Sequence, residues 1–437
     1  MKYCLAIDIG ASSGRHIVGY LKDGEIVTEE IYRFPNGMDT LDGHLVWDTE
    51  RLLSEVKEGI RRAFVKYPTL SSLSIDTWGV DYVLMRGDSE LTPVYAYRDG
   101  RTEEPIRAVH ALIPFSELYS RTGIQFNSFN TIYQLYADKL SGRLEGVTDF
   151  LMIPEYLMYK LTGKKLKEYT NATTAGLVNA ELHEFDRRIF EILGLPKRLI
   201  TTLYMPGAFV GRLTEEVESE VGGNLDVVLC ATHDTASAVE AIDMELDAPY
   251  ISSGTWSLLG VKTKSALTDP RSRDTGYSNE GGVGYNRYQK NITGMWIIQC
   301  LRSELCPDMS YDAITALANE SQYDEIFDVN NPAFLAPENM RNAIYDYFVL
   351  QNKLPPSTDA DYFSAAYISL ADGYRVAIED LESNTGKQYS KIYIVGGGAK
   401  NAYLNDLTEK RTKKRVHALP IEATAIGNLK IQLKGEK

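Results

Sequence analysis

The 437-residue sequence predicts an α/β protein of two domains, each an open sheet with helices packed against it. Three observations carry that prediction. An apolar run over residues 3–7 enters the turn Asp8-Ile9-Gly10-Ala11-Ser12-Ser13-Gly14-Arg15 and leaves it as a second extended stretch, residues 16–21. The same pattern returns past the middle of the chain, where an apolar lead-in reaches Ser252-Ser253-Gly254-Thr255 and continues as residues 256–261. The length also exceeds that at which one core keeps growing, and a hydrophobic fraction of 44% is enough for two.

The elements follow in order. After the opening hairpin, an Asp23-Gly24 turn leads to a third strand over residues 25–32, and Leu52, Val56, Ile60 and Ala63 then recur at helical spacing. Residues 73–77 form a strand that ends in Asp76-Thr77-Trp78-Gly79-Val80-Asp81. A further strand, residues 226–231, ends in Thr232-His233-Asp234-Thr235 and opens a helix over 236–242. Residues 243–249 are polar, and a boundary placed there divides the chain into domains 1–244 and 245–437. In the second half, Ile368, Ala371, Tyr374, Ile378 and Leu381 make a helical stripe. It precedes a strand over 391–395, the triplet Gly396-Gly397-Gly398 and a helix over 403–411.

Composition excludes several classes. A net charge of −14 repels nucleic acid and anionic membrane surfaces, so an anionic ligand must be gripped locally. Cys4, Cys230, Cys300 and Cys306 form no CxxC pair, and reduced, mostly buried thiols in a cytoplasmic protein are expected. The opening MKYCLAIDIG meets Asp8 too early for a secretory leader, and no apolar run is long enough to span a bilayer. The six histidines show no metal-ligand spacing.

The two glycine-and-hydroxyl turns suit phosphate. Small residues let backbone N–H groups and hydroxyls approach an anion without a side chain intervening. The signatures of P-loop, dinucleotide-binding and protein-kinase sites are all absent from the sequence. Asp234 is the candidate proton acceptor, because it stands where a strand ends and a helix begins, although Asp is also a favoured N-cap residue there. His233 can act as a base itself, orient Asp234 or hydrogen-bond a substrate hydroxyl. Asp76 and Asp81 resemble a glycosidase pair only if the nucleotide elements are ignored. Trp78 and Trp256 suit a core as well as a sugar platform.

The segments DIGASSGR, IDTWGVDYVL, AYRDGRT, EYTNATTAGLVN, HDTASAV, ISSGTWSLLG, NITGMWIIQ and YIVGGGAKNAYLN, in this order, resemble the FGGY family of carbohydrate kinases. That family lies within the actin, hexokinase and Hsp70 superfamily of ATPases. The resemblance implies two ribonuclease H-like (actin/hexokinase-type) α/β domains with an interdomain active-site cleft, and a site split in this way that must keep water from the γ-phosphate predicts closure over the substrates. Within the family the chain is most similar to kinases of L-rhamnulose. Transfer of the ATP γ-phosphoryl group to the C1 hydroxyl of that sugar is the activity implied.

The site residues implied follow from the matched motifs. Ala11, Ser12, Ser13, Gly14 and Arg15 receive phosphate oxygens, with Thr255 as the counterpart in the second turn and Gln299 and Gly397 as further nucleotide contacts. Gly79, His233, Asp234, Thr235 and Asn291 line the sugar pocket, the bare Gly79 letting the ketose approach the main chain. Asp8 holds Mg²⁺ through water, which needs only one or two carboxylates. ATP, Mg²⁺ and a small sugar are the partners expected, with neither nucleic acid nor membrane, and the chain is a monomer or weak homodimer. A kinase of L-fuculose, xylulose or glycerol is the alternative, followed by a non-enzymatic nucleotide switch.

Overall fold

The opening hairpin forms as predicted. Strand β1 (Tyr3–Ile9) pairs antiparallel with β2 (Ser13–Lys22), and β2 with β3 (Glu25–Pro35). The computed structural model describes residues 2–244, 248–419 and 422–434, so residues 245–247 of the expected boundary lie outside it. Helix α1 (Thr49–Lys66) starts where the Asp48 carboxylate accepts from the Arg51 N–H, and it buries Leu52, Val56, Ile60 and Ala63. It is the crossover that a parallel pairing requires, because β4 (Leu70–Thr77) runs parallel to β1. Leu5, Ile7, Ile9, Leu73 and Ile75 share one core with the apolar stripe of α1.

Two shorter strands complete this sheet. Strand β5 (Phe209–Arg212) pairs antiparallel with β6 (Asp226–Val228), which runs parallel to β4, giving the order β5-β6-β4-β1-β2-β3. The strand expected over 226–231 ends early because its later donors leave the ladder. The Cys230 N–H goes to the Ser74 hydroxyl at 2.8 Å, and the Leu229 N–H to the Ala208 carbonyl. Helix α2 (Asp234–Ala241) follows.

The second unit repeats the plan. Strands β7 (Tyr250–Ser253) and β8 (Trp256–Thr263) form the second hairpin, and β9 (Asn286–Thr293) lies beside β8. Helices α3 (Trp296–Leu305) and α4 (Asp359–Thr385) precede β10 (Lys391–Val395), which is parallel to β7. After α5 (Ala402–Thr412), β11 (Arg415–Leu419) pairs parallel with β10. The order β9-β8-β7-β10-β11 matches β3-β2-β1-β4-β6, as a duplicated domain would.

By their contacts, the described residues group into two compact units. One comprises the described residues of Met1–Asp243, Lys264–Arg287 and Glu422–Lys437, and the other those of Met244–Thr263 and Tyr288–Ile421. The last helix, α6 (Ala423–Leu433), joins the first unit for packing reasons. Its Leu429 lies with Cys4, Ala6 and Ile17, and Gly427 comes so close to the Ser237 carbonyl of α2 that no Cβ fits. Gln432 donates to the Leu5 carbonyl at 3.0 Å and accepts from the Ser72 hydroxyl at 2.7 Å. Cys230, Cys300 and Cys306 are free thiols, and among the described residues no helix is long and apolar enough to cross a membrane.

Candidate active site

Parallel strands carry their carboxyl ends to one edge of a sheet, which is where open α/β folds collect ligands. In the first unit, Asp8 of β1 stands opposite Asp76 of β4 and opposite Arg15 of β2. The Arg15 guanidinium donates to Asp8 at 2.6 Å and also holds Glu422. Burial raises the pKa of Asp8, Arg15 opposes the rise, and the nearby Asp234 and Glu422 charges add to it. Asp76 is fully buried. One of its oxygens accepts from the Asn428 amide at 2.6 Å, and Oδ1 has no partner. Burial first, then the Asp8 and Asp234 charges, push Asp76 well above the ordinary carboxylate range.

The orphaned buried Oδ1 and the mutual repulsion of these carboxylates are the signature of a cluster short of positive charge. Hard oxygen donors of this kind suit a divalent cation held mainly by its own waters. Among the described residues, no group of three or more His, Cys, Asp or Glu side chains is arranged to hold a metal directly.

The turn after Asp8 is braced from behind. The Gly10 N–H donates to the Ser13 carbonyl at 2.9 Å, while Asn36 donates its backbone N–H to Ser12 and its side-chain amide to Gly10. Gly14 lies under the Phe34 ring, leaving no room for a Cβ. Ser12 is exposed, and Ala11 and Ser13 are half-buried.

The His233-Asp234-Thr235 segment is fixed by a residue that sequence reasoning missed. Glu168 is fully buried and accepts from the N–H and hydroxyl of Thr170, the N–H of Asn171, and the N–H and hydroxyl of Thr232. The Thr232 carbonyl in turn accepts from the Thr77 N–H at 2.9 Å, continuing the β4 pairing toward His233. Glu168 was legible only as the head of the EYTNATT segment, because its partner at 232 is distant in sequence.

At the start of α2 the N-cap is His233, and its side chain makes no capping bond. Asp234 is therefore the first helical residue and not the cap, still in a turn where the helix dipole favours negative charge. Its Oδ1 accepts from the Thr235 N–H at 2.5 Å and the Thr235 hydroxyl at 3.0 Å. The Asp234 side chain keeps 32% of its surface exposed.

Asp81 does other work. Its Oδ2 accepts from the indole N–H of Trp47 at 2.6 Å, that of Trp78 at 2.9 Å and the Tyr97 N–H, while Oδ1 takes the Gln134 amide. Burial raises it to about 6 against these bonds. Trp78 is thus a buried core residue packed against Trp47, with ring centres 4.2 Å apart and planes tilted by 35°, whereas Trp256 of the second unit is exposed.

Packing by itself calls for glycine at 79. A Cβ there would lie 2.9 Å from the Thr174 side chain. The next residue, Val80, is buried with φ of +67°, a strained setting for a β-branched side chain. The Thr174 hydroxyl, accepting from the Val80 N–H at 3.1 Å, and Thr131, donating to its carbonyl at 2.7 Å, hold it there.

In the second unit, the Thr255 hydroxyl points at the Gln299 side chain, 3.4 Å away. The Gly254 and Thr255 carbonyls accept from the N–H groups of Gly294, Met295 and Trp296, so the start of α3 is tied to the second turn. Gly396, at φ of +86°, lies against the Ser253 carbonyl, and Gly398 against the Ser253 hydroxyl. Gly397 faces open space. Asn291 is half-buried on β9. The expected site residues therefore form two sets, one in each unit.

Comparison with known proteins divides the chain into two successive stretches. Residues 3–240 match the N-terminal domain model of the FGGY family of carbohydrate kinases, and residues 249–435 its C-terminal domain model. A rhamnulokinase of Oceanobacillus iheyensis is 42% identical over 99% of this chain and 93% of its own length. The rhamnulokinase of Bacillus subtilis is 39% identical over 99% of this chain and 90% of its own. Among solved structures, a ligand-bound xylulose kinase from Lactobacillus acidophilus superposes with a TM-score of 0.81 at 16% identity, covering 100% of this chain and 90% of the other. A glycerol kinase from Plasmodium falciparum with ADP gives 0.76 at 12%, covering 99% and 89%. These two likenesses speak to fold alone.

Proposed function

This chain belongs to the FGGY family of carbohydrate kinases, and on that premise we infer that it transfers the γ-phosphoryl group of ATP to the C1 hydroxyl of L-rhamnulose. The relatives at 42% and 39% identity, both rhamnulokinases, support the choice of sugar. One structural observation carries the chemistry. Asp234 is a part-exposed carboxylate at the head of a helix, with Thr235 holding one oxygen, beside the buried Asp8 and Asp76.

In this reading Asp234 accepts the C1 hydroxyl proton as that oxygen attacks phosphorus in line. Such transfers proceed through a loose transition state in which positioning and charge neutralisation do most of the catalysis. Main-chain and hydroxyl donors of residues 11–15 take phosphate oxygens, and Thr255 and the open face of Gly397 are nucleotide contacts of the second unit. Asp8 would hold Mg²⁺ through water, and that ion, when bound, neutralises charge on the transferring phosphates. His233, Thr235, Gly79 and Asn291 contact the sugar. A cytoplasmic setting, where ATP and free sugar meet, completes the proposal.

A coupled ADP-release assay with L-rhamnulose, L-fuculose, xylulose and glycerol tests it. L-Rhamnulose should give the highest kcat/KM. ATP turnover that does not depend on any sugar would defeat the reading.

A further inference from the structure

Behind His233 stands an ion pair that the reaction as described does not use. Arg287 is completely buried, and one of its terminal nitrogens, Nη2, lies 2.9 Å from Glu280 Oε2 and 3.0 Å from His233 Nδ1. The same Glu280 oxygen is 3.2 Å from His233 Nδ1. On the other side of the ring, His233 Nε2 is 3.5 Å from Asp234 Oδ1. The Arg287 Nε–H is anchored on the Gly281 carbonyl at 2.8 Å, so the guanidinium is held in place.

Two groups compete for one imidazole nitrogen. Glu280 can only accept, and alone it would draw the proton onto Nδ1. Arg287 can only donate, and it does not lose its proton in a protein. Its Nη2 carries two hydrogens, enough to serve Glu280 and Nδ1 together. With Glu280 satisfied by Arg287, Nδ1 becomes the acceptor and the ring proton sits on Nε2. The alternative would set the Nε2 lone pair toward the Asp234 carboxylate, two acceptors face to face.

We propose that Arg287, paired with Glu280, is a positioning residue that locks His233 in its Nε2–H tautomer, so that the ring presents a donor on the Asp234 side. This rests on the sugar-kinase reading for its catalytic meaning. A ketose hydroxyl receiving that N–H is held while its neighbour gives its proton to Asp234. The wrong tautomer would offer a lone pair where a donor is needed.

The tautomer is measurable in the resting protein by ¹⁵N-resolved NMR of the imidazole, with the His233 signal assigned by its loss in His233→Gln. The proposal expects protonation at Nε2 in the wild type. Arg287→Lys, which keeps a charged donor, should retain it. In Arg287→Met the proton should move to Nδ1, toward the Glu280 left behind. Because that substitution also takes the guanidinium charge away from Glu280, the double variant Glu280→Gln/Arg287→Met tests the same point with both charges removed. There the fixed tautomer should give way to a mixture.

In kinetics, the double variant should lose about tenfold in kcat/KM for the sugar, the worth of roughly one hydrogen bond, with KM for ATP within about twofold of wild type. A wild-type proton on Nδ1, or a tautomer unchanged once Arg287 is removed, would overturn the proposal. Failure to phosphorylate any sugar would instead remove the kinase reading and leave the tautomer result standing.

Discussion

Asp8 and Asp76 occupy facing positions in the parallel register of β1 and β4, yet Arg15 donates to the first and an uncharged amide, Asn428, to the second. The two carboxylates are therefore unequal. Asp8 is matched with a cation, whereas burial first, and then the charges of its acidic neighbours, push Asp76 well above the ordinary carboxylate range.

That inequality predicts a pH-dependent gain from Asp76→Asn. A carboxyl whose folded pKa lies above its unfolded value binds more protons when folded, so its contribution to stability falls as pH rises from the unfolded value toward the folded one. Removing it should make the protein more resistant to urea than wild type, by a margin that widens between pH 5 and pH 8. A margin that shrinks over that range would contradict the assignment.

Asp234→Asn should lower turnover by about 10² to 10⁴ while leaving ATP affinity nearly unchanged. Steady-state kinetics paired with calorimetric titration of a non-hydrolysable ATP analogue separates the two effects. Near-normal turnover would take Asp234 out of the proposed mechanism.

Gly59→Ala should destabilise the protein although the site is helical. Elsewhere in a helix this change gains about 1 kcal/mol. Here the added methyl would run into the buried His16 ring, and overpacking of that kind costs about 1–3 kcal/mol. Urea denaturation gives the sign directly.

His16 should shape the acid limb of stability. Burial lowers it from 6.5 to about 4, so the unfolded chain takes up a proton in that window that the folded one refuses. Stability from this group is present above pH 6.5 and is lost as pH falls toward 4, on the order of 3 kcal/mol in all. In His16→Leu the slope of stability against pH over that interval should flatten.

The glycine triplet separates stability from binding. Gly398→Ala places a methyl onto the Ser253 hydroxyl and should lower the melting temperature, whereas Gly397→Ala meets open space and should not. The proposed nucleotide role predicts that Gly397→Ala loses affinity for the ATP analogue. Equal melting temperatures for the two variants would contradict the packing, and unchanged affinity in Gly397→Ala would contradict the role.

Much of this was legible because the signals are local. The turn Asp8 to Arg15 sits between apolar runs that could only be strands, and β10 stops at Val395 because three glycines follow. What escaped was set by contacts between distant residues. Nothing around Arg287 marks it as a partner of His233, and nothing near Glu168 announces that it holds Thr232. The packing of Gly79 against Thr174 is likewise set by a residue far along the chain.

The sequence by itself determined the two hairpins, the crossover helices, the repeated α/β plan and the family, since each depends on residue periodicity and short motifs. Tertiary structure alone decided that residues 264–287 and the last helix belong with the first unit, and that Asp76 lacks the cation given to Asp8. It also decided which group faces each nitrogen of His233. The physical reason is that burial and Coulombic pairing depend on distances in space, which strand register and helix packing set long after the local pattern has been read.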